Sequence, residues 1–259
     1  MNPVTIGDIK KISLPQRGSH KGQNGRLLVI GGSHLFHAAS LWALTVASRI
    51  VDLVHYCSVP ENNALVKSEF RNGIVVPRSD IDAYIEEDDC VLIGPGMTRD
   101  GETKTMTNRL FTRYPTKQWI VDAGSLQMMD TSLIPKNAIL TPHHGEYTRM
   151  FEIQDITTVA KKYSCIVLLK GDKDIASNGT DTREITGGNP GMTKGGTGDV
   201  LAGLIAALAC KNDPFLATIA GSFINKQAGD ELYKKVGPYF NATDLANEIP
   251  IVMKQLLLP

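Results

Sequence analysis

Short runs of consecutive apolar, often β-branched residues recur along the chain at 26–32 (RLLVIGG), 51–59 (VDLVHYCSV), 73–77 (GIVVP), 90–94 (CVLIG), 119–124 (WIVDAG), 138–142 (AILTP) and 165–171 (CIVLLKG). Between most of them lie stretches at 38–50, 61–70, 101–114 and 155–164 in which apolar residues return every three or four positions. Unbroken apolar runs fit strands buried on both faces, and the three-to-four period fits helices packed over them. The pattern predicts an α/β fold in three layers, a central, mostly parallel sheet with helices on either side. Beyond residue 171 the order changes: KDIAS and REITGG flank NGTD, whose Asn-Gly pair tolerates positive φ, so a small β-hairpin is predicted there. Helices are predicted at roughly 198–210, 214–235 and 242–257. No linker, repeat or break in composition divides the 259 residues, and a single domain over 1–259 is expected.

Charge narrows the partners. Lysine plus arginine and aspartate plus glutamate each number 27, so the net charge is zero and no basic footprint marks a nucleic-acid or membrane surface. Apolar stretches such as 200–209 and 41–47 are far shorter than a bilayer span, and the N-terminus lacks a signal-peptide core. A cytoplasmic protein acting on small molecules is expected. Cys57, Cys90, Cys165 and Cys210 show no CxxC spacing and read as reduced core residues, as Trp42 and Trp119 read as core. The acidic run Glu86, Glu87, Asp88 and Asp89 reads as a solvated turn.

In a parallel α/β sheet, ligands gather beyond the carboxyl ends of the strands. Five of the predicted strands end in glycine, acid, histidine or lysine: GGSHLFHAAS, GPGMTRD, DAGSL, TPHHGE and KGDKD. The strongest signal comes later, in GGTGDVLAGLIAAL at 195–208. Gly195, Gly196 and Gly198 let backbone approach a ligand, and Thr197 to Asp199 open a helix whose unpaired N–H groups and dipole favour an anion. Asp199 is then either a helix-start carboxylate or a general base beside an anion hole. Lys170 could meet a phosphate as a point charge or simply close a strand, and Asp122 could orient a metal-bound water or cap a turn. His143 and His144 are adjacent and poorly placed to chelate one ion, while Glu146 is either a magnesium-shell carboxylate or a helix-start carboxylate. A Walker A loop is absent, because Lys194 precedes the final glycines.

GGSHLFHAAS, IGPGM, VDAGSL, TPHHGE, LLKG and GNPGMTKGGTGDVLAG together resemble the ribokinase-like superfamily and, within it, the NAD(P)H-hydrate dehydratases. The similarity runs in order from about residue 20 to 210, and the helical tail is also similar. It implies dehydration of the S form of hydrated NADH or NADPH, with ADP or ATP and Mg2+: the ring 6-hydroxyl is phosphorylated and phosphate is eliminated. By the same resemblance Asp199 is the base and Gly196, Thr197 and Gly198 complete the anion hole. Ala39, Gly96, His143 and Asp199 are expected at the hydrated dinucleotide, and Lys170, Gly171, Asp172, Lys173, Asp174 and Gly198 at the adenine nucleotide. TPHHGE is also similar to the TPNxxE turn of vitamin kinases, which makes Glu146 the suspected magnesium-shell residue.

Three positions depart from the family pattern: HHGE replaces HPGE, Ala38 replaces a glycine before Ala39, and Thr98 replaces a glycine after GPGM. Many members carry an N-terminal epimerase domain, and none is expected within these 259 residues. Some assemble as homo-oligomers. A vitamin or sugar kinase of the same fold is the alternative within catalysis, and a nucleotide-sensing protein that has lost chemistry is the alternative outside it.

Overall fold

The computed structural model describes residues 1–152 and 154–258. In chain order its strands are β1 (Asn2–Pro3), β2 (Arg26–Ile30), β3 (Leu53–Cys57), β4 (Ile74–Val75), β5 (Cys90–Ile93), β6 (Gln118–Val121), β7 (Ile139–Leu140), β8 (Ile166–Leu169), β9 (Asp174–Ser177) and β10 (Thr182–Ile185). The helices are α1 (Ile6–Ile9), α2 (His37–Ala47), α3 (Pro60–Glu69), α4 (Ile81–Glu87), α5 (Gly101–Arg113), α6 (Ala123–Met128), α7 (His144–Phe151), α8 (Ile156–Tyr163), α9 (Thr197–Ala209), α10 (Pro214–Val236) and α11 (Ala242–Leu257).

All ten strands join one sheet in the order β1-β10-β9-β8-β7-β6-β5-β2-β3-β4. From β8 to β4 every pairing is parallel, and β9 and β10 form the antiparallel hairpin around 178–181. The chain steps from β2 outward to β3 and β4, then returns to the other side of β2 with β5, so the topological switch lies between β2 and β5.

Strand β2 shows why the molecule has three layers. Its side chains alternate, sending Leu27 and Val29 into one core with α2, α9, α10 and α11, and Leu28 and Ile30 into a second core with α4, α5, α7 and α8. Helix α9 is apolar all round because it lies between sheet and outer helices, and every residue from Val200 to Ala209 is buried. Gly203 makes its contact with α2 possible: a Cβ there would stand 2.6 Å from the Ala43 backbone.

The predicted strands and helices are present, with α1, β1, α4, α6 and α7 added. All four cysteines are free and buried. Trp119 is fully buried, whereas Trp42 is partly exposed and its indole N–H donates to Thr243 Oγ1 at 3.2 Å. No helix among the described residues is long and apolar enough to cross a membrane.

The acidic run is not one solvated turn. Glu86 and Glu87 end α4, and Asp88 is buried with both carboxylate oxygens 2.9 Å from His55 Nδ1 on β3. Burial pushes the Asp88 carboxyl up and His55 pulls it back. Asp88→Ala therefore leaves an unpaired imidazole in the core, and the expected result is a loss of roughly 3–5 kcal/mol in chemical denaturation. Asp89→Ala, on an exposed neighbour, serves as the control.

Candidate active site

The glycine-rich stretch adopts the conformation its sequence suggests. Gly196 takes φ 95° at the N-cap of α9, a left-handed value that costs a side chain strain. A Cβ at Gly196 would also meet the Trp42 ring at 2.4 Å, so the glycine is fixed twice over. Thr197 Oγ1 donates to the carbonyls of Met192 (2.7 Å) and Lys194 (2.9 Å) and pins the turn. The first full helical bond runs from the Val200 N–H to the Gly196 carbonyl at 3.0 Å; the Thr197 N–H reaches the Lys194 carbonyl at 3.4 Å, which leaves those of Gly198 and Asp199 without helical partners.

Asp199 lies in this first turn, where burial, followed by the charge of Asp122, pushes its carboxyl up to about 7 against the pull of Lys170. Lys170 follows β8, and its Nζ is 3.0 Å from Asp122 Oδ1. A Cβ placed on Gly198 would stand 3.6 Å from that Nζ, so the ammonium abuts the start of α9. Burial alone favours neutral Lys170, but Asp122, Glu146 and Asp199 outweigh it and hold the proton on. Asp122 also accepts from Thr141 Oγ1 at 2.8 Å. The next residue, Ala123, takes φ 45°, a strained value for a side chain with a Cβ, in the turn that aims Asp122. A carboxylate near 7, a fixed cation and open N–H groups are thus brought together from β6, β8 and α9, which lie far apart in sequence.

Beside them opens a cleft of about 620 Å³. Of the residues predicted for the site, His143, Lys170, Gly171, Asp172, Asp174, Thr197 and Gly198 line it. Lys173 does not: its side chain is exposed and pairs with Glu184 at 3.1 Å. Ala39 and Gly96 meet each other at the topological switch, outside the cleft wall. Gly96 takes φ 73°, a Cβ on it would lie 3.1 Å from Ala39 Cβ, and the Gly32 N–H donates to the Pro95 carbonyl at 2.7 Å.

TPHHGE forms a helix start. His143 is the N-cap of α7, with Nδ1 accepting from the N–H groups of Gly145 (3.0 Å) and Glu146 (3.3 Å), an arrangement that puts the ring proton on Nε2. Glu146 returns the bond, Oε2 accepting from the His143 N–H at 2.9 Å, and Oε1 accepts from Gln127 Nε2 at 2.8 Å. Both oxygens of Glu146 are therefore engaged, and the geometry gives it the helix-start role that the sequence left open beside the magnesium one.

The far wall is supplied by 187–190 and α10, to which sequence reasoning assigns no site role beyond a place in the GNPGMTKGGTGDVLAG motif and a helix at 214–235. Ser222, Lys226 and Asp230 are spaced by four and share one face of that helix. Ser222 Oγ donates to Asp174 Oδ2 at 2.7 Å, Lys226 Nζ donates to the carbonyls of Gly171 and Asp172 at 3.1 Å each, and Asp230 accepts from the Gly188 N–H and Asn189 Nδ2 at 3.1 Å each. One helix face thus holds both loops that flank the cleft.

Sheet order, glycine-led helix start and adjacent lysine define a ribokinase-like protein. Its structure superposes on a ribokinase-like protein from Enterococcus faecalis with a TM-score of 0.90 at 23% identity, covering 100% of this chain and 97% of the other. An ADP/ATP-dependent NAD(P)H-hydrate dehydratase from Bacillus subtilis, co-crystallised with ATP/Mg2+, gives 0.86 at 24% identity, with 98% of each chain covered. The sequence profile of the NAD(P)H-hydrate dehydratases matches residues 27–251, and the chain belongs to that family. An ADP-dependent (S)-NAD(P)H-hydrate dehydratase from Nitrosopumilus maritimus is 35% identical over 97% of this chain and 96% of its own length. A bifunctional NAD(P)H-hydrate repair enzyme from Methanocaldococcus jannaschii is 37% identical over 97% of this chain, which spans 52% of that relative.

Proposed function

We propose that the protein dehydrates the S form of hydrated NADH or NADPH at the expense of ADP or ATP. The observation that carries this reading is Asp199, a carboxyl titrating at about 7 in the first turn of α9, against open N–H groups and beside Lys170. Asp199 accepts the proton of the ring 6-hydroxyl as its oxygen attacks the terminal phosphorus of the donor. The P–O bond to the donor breaks, and AMP or ADP departs with that oxygen. The N–H groups before Val200 and the Lys170 ammonium hold the charge on the transferring phosphoryl group. The ring then expels phosphate: C6–O breaks with its electrons on oxygen, C5 gives up a proton to water, and the C5–C6 double bond of the reduced nicotinamide returns. Hydroxide is a poor leaving group and phosphate a good one, which is the reason to spend a nucleotide. Ala39, Gly96 and His143 face the dinucleotide in this scheme, and Gly171, Asp172 and Asp174 the donor.

The donor set also fits magnesium of the kind nucleotide enzymes use. No cluster of three histidine, cysteine or acidic side chains stands ready among the described residues, and a hard cation that keeps waters and binds phosphate oxygens needs at most one or two carboxylates. Asp122 would hold it, leaving Asp199 as the base, and there it would neutralise phosphate charge; Glu146 helps to keep Lys170 charged.

The test mixes the protein with hydrated NADH, ADP or ATP, and magnesium. The expected result is a nucleotide-dependent rise in the absorbance of reduced nicotinamide. No rise, with phosphorylation of a sugar or vitamin instead, would replace the dehydratase with a kinase.

A further inference from the structure

The glycine turn that follows β2 is packed tightly against the topological switch. Gly32 takes φ 72°, and a Cβ on it would collide with the Asn62 amide and stand 2.7 Å from the Tyr56 hydroxyl and 2.9 Å from Ser40 Oγ. Its N–H donates to the Pro95 carbonyl at 2.7 Å, and its Cα lies 3.1 Å from the place a Cβ on Gly96 would take. A Cβ on Gly31 would stand 3.0 Å from Ser40 Cβ. The turn therefore packs against the neighbour of Ala39 on one element and the neighbour of Gly96 on another. Whatever fixes the turn fixes the spacing of those two residues.

What fixes it is polar. Tyr56 on β3, Ser40 on α2 and Asn62 on α3 are all buried, and their polar atoms meet at one hydroxyl. The Tyr56 hydroxyl donates to the Gly31 carbonyl at 3.3 Å; with its one proton there, it accepts from Asn62 Nδ2 at 3.2 Å and from Ser40 Oγ at 2.9 Å. Burial pushes that hydroxyl up from its ordinary value, so it keeps the proton it donates. The Tyr56 ring belongs to the apolar core that also holds Leu27 and Val29. Apolar side chains could fill this place without desolvating polar groups, whereas three polar groups that satisfy one another specify a single arrangement.

We propose that Tyr56 is a positioning residue for the hydrated dinucleotide, holding Ala39 and Gly96 in register through the Gly31 carbonyl and the turn at Gly32. This deepens the dehydratase reading and rests on it. Tyr56 is 1% exposed and touches no substrate itself. Losing its hydroxyl frees the Gly31 carbonyl and leaves the Ser40 and Asn62 donors without their acceptor, so the turn loosens and dinucleotide binding weakens. Asp199 and the cleft walls beyond β7 and β8 are built from other elements and keep their geometry.

The test is steady-state kinetics of the whole protein with hydrated NADH and Mg·ADP, each varied at saturation of the other, on the wild type, Tyr56→Phe, Ser40→Ala and the double variant. Tyr56→Phe removes one oxygen and keeps the ring. It is expected to raise KM for hydrated NADH about 5- to 30-fold, with kcat and KM for ADP within about twofold of the wild type. Ser40→Ala is expected to raise the same KM, and it decides the matter alone if Tyr56→Phe does not fold. In the double variant the two effects should fall well short of multiplying, because both act through one hydroxyl. A fall in kcat with both KM values unmoved would assign the network a merely structural role. That result, equal rises in both KM values, or a double variant whose KM is the product of the single effects would overturn the proposal. A wild type without turnover of hydrated NADH would instead remove the dehydratase reading, and this inference with it.

Discussion

Asp199→Asn is expected to cut kcat by about 10²–10⁴-fold while making the protein more resistant to unfolding at neutral and higher pH. The two effects share one cause. Burial and Asp122 raise the folded-state carboxyl from 3.8 to about 7, so in the folded state the ionised form is the disfavoured one. Between those two values the unfolded chain is ionised and the folded chain still holds the proton, so the folded protein binds more protons and stability falls as pH rises through that interval. Above about 7 the penalty is complete; below about 4 it vanishes. Asparagine cannot ionise and avoids it, so the variant should exceed the wild type by roughly 2–4 kcal/mol at pH 8 and match it near pH 4. The catalytic limb has the opposite sense. A base must be deprotonated to act, so wild-type kcat/KM should fall about tenfold per pH unit below 7 and level off above it. Melting and steady-state rates over the same pH series measure both. Unchanged turnover in Asp199→Asn would remove the base from the mechanism, and a stability difference that ignores pH would remove the raised carboxyl.

Much of this arrangement was legible in the sequence because it depends on local chemistry. Asn178 and Gly179 set the hairpin turn, Gly179 with φ 86°, and Gly195, Gly196 and Gly198 announced the helix start. What stayed hidden depends on partners distant along the chain or on unusual capping. Helix α7 was offered only as one reading of Glu146, because two histidines break the apolar period and histidine is not among the usual N-cap residues, although His143 fills that place. The run at 86–89 looked uniform because nothing local tells Asp88 from its neighbours; the difference is His55, 33 positions away. Helix α10 was predicted only as a helix at 214–235, yet the charged Lys226 beside Asn225 within its buried stretch was a signal: a buried lysine needs a reason, and here it is the cleft. Ala39 and Gly96 mark the switch point that strand order dictates, whereas the cleft lies further along the sheet, beyond β7 and β8, where a hairpin and α10 provide walls that strand ends alone do not foretell.

The second large effect expected is that of Lys170→Met, and it separates charge from shape. Methionine fills much of the same space but leaves Asp122, Asp199 and Glu146 without the cation they surround. In the wild type Lys170 pulls the Asp199 carboxyl down while burial and Asp122 push it up. Without it the strongest downward influence is gone and only a backbone N–H still opposes burial and Asp122, so the acid limb of the kcat/KM profile should move above 7, and the variant should recover part of its loss as pH rises. The lost recovery is the phosphoryl charge that Lys170 stabilised beside Gly198, a deficit of about 10²–10³-fold that pH does not restore. A pH–rate profile from 6 to 9 therefore tells the two roles apart: a displaced limb with a lower plateau is expected, a lower plateau with an unmoved limb would mean that Lys170 acts on phosphate alone, and an unchanged plateau would place it outside the reaction. Lys170→Arg keeps the charge but spreads it over a planar fork that the contact with Asp122 at 3.0 Å was not built for, so the limb should return towards 7 while the plateau stays low.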